Sequence, residues 1–247
     1  MRPLLQAELI KLRTTRTFLA LTGVAVGTSI LIASLVSALS KPTEESVLTD
    51  VFTADTTSVF ILVLAIVGIT GEWRHRTITS SLLAAPDRLR FLAAKTLAFA
   101  AAGLVVSLMI SIAIGIVGMA ILSGRGLPTP GIGELAVQIL RNAELAALLG
   151  AFGLAIGSLI RNQPTAIVGV LVLAFVIEPT VIALVPEVGR FGPTSGLAAG
   201  IQAIPPGDIG ADGVDLLSPG LATLAMLVWI AVPFAAGVTL LRRRDLN

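Results

Sequence analysis

Cysteine is absent and His75 is the sole histidine of the 247-residue chain. That excludes disulfides, thiolate catalysis and Cys-ligated metal, and leaves one imidazole without the converging groups that a metal site or a general base needs. Charge is scarce as well: 13% of residues are Asp, Glu, Lys or Arg, against about 25% in soluble domains of ordinary composition. No H-E-x-x-H, G-x-S-x-G or G-x-x-x-x-G-K-[ST] sequence occurs, so neither hydrolase chemistry nor a phosphate-binding loop is expected in this chain. Nucleic acid is not an expected partner either. The isoelectric point is ≈ 9.7, but the net charge is only +2 and the basic residues gather at the ends of apolar runs.

What the chain has is apolar length. Hydrophobic residues make up 55% of it and its mean hydropathy is +0.95, which predicts an all-α integral membrane protein. Six spans are expected, over 18–39, 52–71, 91–122, 135–160, 164–185 and 219–241, each near the ~20 residues a crossing helix needs. The first run is longer than the ~7–15 residues of a signal h-region and is expected to be retained as a span. Asp55, Arg141 and Glu144 interrupt the second and fourth runs.

Basic residues set the expected orientation. One side collects Arg2, Lys11, Arg13, Arg16, Arg74, Arg76, Arg88, Arg90, Lys95, Arg161 and Arg242 to Arg244; the other has only Lys41, Arg125, Arg141 and Arg190. Both termini are therefore expected in the cytoplasm. Ahead of the first span, Leu5, Leu9 and Leu12 recur at i, i+4 and i+7 with Glu8 and Lys11 off the stripe and Ile10 out of place. This reads as an interfacial helix over 1–16 or as an extension of the first span. The Pro- and Gly-rich stretch 187–218 contains a helical pattern over 193–204, stopped by Pro205-Pro206. That short helix either dips into the membrane as a re-entrant segment or lies on the outer surface.

Two groups of residues carry candidate chemistry. Arg141, Glu144 and Glu178 are ionisable residues within spans, which cost ~2.5–3.5 kcal/mol each on insertion and so point to an ion path or to structural pairing. Arg141 and Glu144 sit at i, i+3 and can pair on one face, while Glu178 precedes Pro179, which frees a backbone carbonyl. Small residues also recur in the spans. Gly153-Leu154-Ala155-Ile156-Gly157 forms a G-x-x-x-G pattern that suits packing inside the chain or a dimer seam. The second group is the charged segment 72–90 between the second and third spans, with Glu72, Arg74, His75, Arg76, Asp87, Arg88 and Arg90. Within it Ile78, Leu82 and Ala85 repeat at i, i+4 and i+7 before Pro86, an amphipathic helix suited to a groove on a soluble partner or to anionic headgroups.

At these residues the chain resembles the permease subunits of type-2 ABC exporters. The family reads approximately G-E-x-R-x-x-T-I, a leucine-rich turn, P-x-x-R and a Lys opening the next span. Here these are Gly71-Glu72, Arg74, Thr77-Ile78, Leu82-Leu83, Pro86, Arg88 or Arg90, and Lys95, with Arg76 where Gly is more usual. Ala7-Glu8-Leu9-Ile10-Lys11-Leu12 resembles the family's interfacial helix, and Arg242-Arg243-Arg244-Asp245 its basic C-terminal end.

The resemblance implies a single permease domain over 1–247 with N-in, C-in topology, in a bacterial plasma membrane. It also implies pairing with a second identical or homologous permease and with two copies of an ABC ATP-binding subunit. The chain itself would bind no cofactor, since ATP and Mg belong to the partner, and it would not be an enzyme. Glu72, Arg74, His75, Arg76, Thr77, Ile78, Leu82 and Arg88 would be the ATPase-coupling residues. The expected function is ATP-driven export of an amphipathic or lipophilic substrate such as a drug, antibiotic, peptide or lipid. The alternative is an ion- or proton-coupled secondary transporter or channel that uses Glu178, Glu144 and Arg141.

Overall fold

A computed structural model describes residues 2–75, 77–78, 87–211 and 213–243. These residues form α1 (Arg2–Thr14), α2 (Arg16–Leu39), α3 (Val47–Val51), α4 (Thr57–Arg74), α5 (Arg88–Gly124), α6 (Ile132–Gly157), α7 (Gln163–Leu184), α8 (Pro186–Gly189), α9 (Gly196–Gln202) and α10 (Pro219–Arg243), with no strand among them. Six helices (α2, α4, α5, α6, α7 and α10) are long and apolar enough to cross a membrane. Each falls on one of the expected spans. The largest shift is at α4, which begins at Thr57 rather than at 52. There the Asp55 carboxylate accepts from the Thr57 N–H at 2.9 Å and closes a turn ahead of the helix.

Thr15, extended at ψ 123°, separates α1 from α2, so α1 is a helix of its own and not a continuation of the span. Its leucine stripe faces inward as the spacing predicts: Leu12 is buried, Leu5 and Leu9 pack on the same cluster, and Ile10 stays 63% exposed. That cluster also holds Phe91 and Leu92 of α5 and Val238 and Leu241 of α10, so both ends of the described chain meet at one end of the bundle, here called the basic end. A second cluster, around Val47, Phe52, Ile110 and Leu122, fills the far end.

α6 is the central element, packed against α4, α5, α9 and α10. Its small residues make this possible. A Cβ on Gly153 would lie 2.5 Å from the Leu62 carbonyl oxygen of α4, so the helix backbones approach as closely as small-residue packing allows. The G-x-x-x-G pattern serves packing within the chain. Outward-facing Met109, Ile116, Phe175 and Val232 remain more than 60% exposed, as side chains turned to lipid do.

α7 carries a π turn over Leu173–Ile177, directly ahead of Glu178-Pro179. The Glu178 N–H donates to the Leu173 carbonyl, an i to i+5 bond, which widens the helix where Pro179 supplies no N–H. The helix expected over 193–204 is α9, shorter at both ends and buried along all seven residues. In the 72–90 segment, residues 72–74 form the last turn of α4 and Asp87 caps α5. Arg76, Leu82 and the rest of the expected amphipathic helix beyond Ile78 lie outside the described residues, as does Arg244.

Candidate functional site

Four charged side chains meet at the basic end, where α1, the last turn of α4 and the second turn of α5 converge. Lys95 Nζ donates to Glu8 Oε2 at 2.6 Å and to Glu72 Oε1 at 2.9 Å, and Lys11 also donates to Glu72 Oε1. Lys95 and Glu72 are 1% and 3% exposed. A lysine so deep survives because two carboxylates surround it and Phe91 lies 5.6 Å below its ammonium, since a buried charge must be paired and hydrogen-bonded. Glu72 Oε2 is buried without a hydrogen-bond partner among the described residues.

Lys11, outside the spans and half-exposed, has its pKa raised from the ordinary 10.5. Burial alone would lower it; the hydrogen bond and charge of Glu72, with Glu8 behind it, outweigh that cost. The two lysines and two glutamates balance in charge and bind three separate helices together.

The neighbouring residues divide into inward and outward groups. Glu72 points into the cluster. Arg74 is exposed and donates to Gln163 Oε1 at the start of α7 at 3.2 Å. His75 caps α4 through its backbone and is exposed. The Thr77 N–H returns to the Glu72 carbonyl at 2.9 Å, and Ile78 is buried in the basic-end cluster. Arg161 stacks 4.6 Å over Trp73. Arg88 opens α5 half-buried, behind Asp87, whose carboxylate accepts from the Leu89 and Arg90 N–H groups at 3.0 and 3.2 Å. Between α1 and the spans lies a cleft of about 540 Å³. Its mouth is polar, with Lys11, Thr15, Arg74 and His75; its inner wall is apolar, with Phe18, Leu64, Val67 and Phe99.

A second polar network crosses the far end. Asp55 accepts from the Thr57 N–H and hydroxyl and from the hydroxyls of Ser107 and Ser111, the last at 2.8 Å. Asn142 Nδ2 donates to Ser111 Oγ at 3.0 Å and to the Phe52 carbonyl at 2.8 Å, while its Oδ1 accepts from Gln138 at 3.1 Å and Gln202 at 2.8 Å. α4, α5, α6 and α9 are thus joined by buried side chains whose hydrogen bonds are mutually satisfied.

The three intramembrane candidates are kept apart. Glu178 is buried, and its Oε2 accepts from the Thr194 and Ser195 N–H groups at 2.8 Å each; its Oε1 is unpartnered among the described residues. Glu144 accepts from Thr223 Oγ1 at 2.6 Å. Arg141 forms no ion pair with Glu144 or Glu178, so the i, i+3 pairing that the spacing allows is not made.

Sequence reasoning placed Glu8 and Lys11 on the interfacial helix, off its leucine stripe, without joining them to Glu72 and Lys95, and missed Ser107, Ser111, Gln138, Asn142 and Gln202. The last group did leave a signal. Ser107/Ser111 and Gln138/Asn142 are polar pairs at i, i+4 inside apolar helices, so each pair shares one face.

No family model matches the chain, and no curated protein matches it. The six long apolar helices define a multi-pass α-helical membrane protein.

Proposed function

We infer that the chain is the membrane-spanning subunit of an ATP-driven exporter of the type-2 ABC class, acting as a pair with two separate ATP-binding subunits. The observation that carries this reading is the Glu8–Lys11–Glu72–Lys95 cluster. It fastens the start of the 72–90 segment to α1 and α5, giving a rigid base on which a partner can push. In this account both termini and the 72–90 segment are cytoplasmic, in a bacterial plasma membrane. Arg74, His75 and Thr77 lie on the surface beside that base and meet the ATPase with the Arg76, Leu82 and Arg88 region; Glu72 works from inside by holding the base together. ATP-driven closure moves the segment, and α4 carries the displacement from Glu72 to the Asp55 network at the far end. The buried α9 is the re-entrant element that this network holds. Cargo is amphipathic or lipophilic, in keeping with spans whose outward faces are almost wholly apolar.

The ion-path alternative draws less support. Glu178, Glu144 and Arg141 each face a different partner or none, whereas a proton or ion path needs them within relay distance of one another. Affinity purification of the tagged chain from its native membrane tests the reading. It should bring down an ATP-binding protein with a G-x-x-x-x-G-K-[ST] loop in roughly equal amount; a chain that purifies alone under gentle detergent conditions contradicts it.

A further inference from the structure

We propose that the cleft beside α1 binds one anionic phospholipid of the leaflet at the basic end, with its phosphate between Lys11 and Arg74 and one acyl chain along Leu64, Val67 and Phe99. Three observations converge on this ligand. The first is charge. Glu8 and Glu72 compensate Lys11 and Lys95, which leaves Arg74, ion-paired with no carboxylate among the described residues, as the uncompensated cation at the mouth. Lys11 is 49% exposed, and an ammonium with three hydrogens can keep its bond to Glu72 while donating to a phosphate oxygen.

The second is the polarity gradient. Along α4, Arg74 and Leu64 are ten residues apart in the sequence, a rise of about 15 Å. That is the distance over which a bilayer half passes from its headgroup boundary to the middle of its ~30 Å hydrocarbon core. The cleft changes from charged to apolar over the same distance, in the order a lipid would require. The third is shape. The volume of about 540 Å³ is that of an ordinary ligand site, ~300–1,000 Å³, suited to a phosphate and one chain while the second chain remains in the bilayer. Gly71 is on the cleft wall, and among the described residues no atom outside its own helix backbone and chain neighbours lies within 4 Å of where its Cβ would stand, so these residues leave the groove open beside the headgroup position.

This inference does not depend on an ATPase partner. Native mass spectrometry of the detergent-solubilised full chain tests it, with phosphatidylglycerol, phosphatidylcholine or inorganic phosphate added separately. The wild type should retain one phosphatidylglycerol per chain at activation energies that strip phosphatidylcholine. Gly71→Leu fills open space on an existing helix and should reduce that retention about tenfold by occluding the groove. Arg74→Gln alters an exposed side chain, cannot unfold the bundle, and should weaken retention roughly fivefold through the loss of one surface cation. Equal retention of the two phospholipids overturns the proposal, as does unchanged phosphatidylglycerol retention in Arg74→Gln. Displacement of the lipid by inorganic phosphate alone would mean a free-anion site and would overturn it too.

Discussion

Lys95 Nζ lies 2.9 Å from Glu72 Oε1, with both side chains almost wholly withdrawn from solvent, so the third span opens on the charge that closes the second. The connecting segment between them departs from and returns to one ion pair. A movement of the segment that tilts either helix must therefore work against this contact.

Removing one member of the pair should be worse than removing both. Lys95→Met leaves the buried Glu72 and the partly buried Glu8 to share Lys11 as the one cation left in the cluster, and the carboxylate charge left over is expected to lower stability by about 3–5 kcal/mol. Lys95→Met combined with Glu72→Gln removes most of the uncompensated charge and should recover part of that loss. Thermal unfolding of the solubilised variants measures both, and equal destabilisation by the single and double changes would refute the pairing.

Lys11 makes the cluster sensitive to alkaline pH. Its pKa is higher in the fold than the ordinary 10.5, so its contribution is fully present below 10.5 and is lost as pH rises through the higher folded value. The gap in melting temperature between wild type and Lys11→Met should be flat from neutral pH to about 9 and should narrow only above about 10.5. A gap that narrows on acidification instead would mean that another group dominates.

Glu178 should act as a fastener of the segment between α7 and α10. Glu178→Ala strips both bonds from the Thr194 and Ser195 amides and should cost about 1–3 kcal/mol, while Glu178→Gln, which keeps an acceptor oxygen, should cost less. Gly192→Ala should resemble Glu178→Ala, because its Cβ would stand 2.6 Å from Glu178 Oε2. Protease digestion from the side of residues 190–217 reports the loosening directly. Wild-type resistance in both Glu178→Ala and Gly192→Ala would remove this role.

The six spans and the leucine face of α1 were legible because bilayer thickness and helical periodicity act through local sequence. The charge cluster was not, because Glu8, Glu72 and Lys95 are brought together only by packing across elements far apart in sequence. Glu178 is instructive in the same way. Its cost in an apolar helix marked it as consequential, but two backbone N–H groups sixteen and seventeen positions away leave no trace in residue identity. Arg141 and Glu144 show the reverse case: their spacing permits a bond, yet Thr223 of α10 takes the carboxylate.

Orientation is open to a direct chemical test in a chain without cysteine. Glu45 is exposed in the α2–α3 connection, and Glu45→Cys in intact cells should react with an impermeant thiol reagent, whereas Thr17→Cys should react only after the cytoplasmic side is opened. The opposite pattern would invert the topology and place the charged segment outside.

The central claim is that this chain is driven by ATP through the segment at the basic end. It is tested most directly by ATP turnover in proteoliposomes containing the chain and the ATP-binding protein expected to purify with it. Arg74→Glu, a reversal on the exposed face beside the buried cluster, is predicted to lower turnover per complex at least about tenfold, the equivalent of ~1.4 kcal/mol of lost coupling, with the chain still folded and inserted. Solute movement driven by an ion gradient without ATP, together with turnover unchanged by Arg74→Glu, would contradict the account.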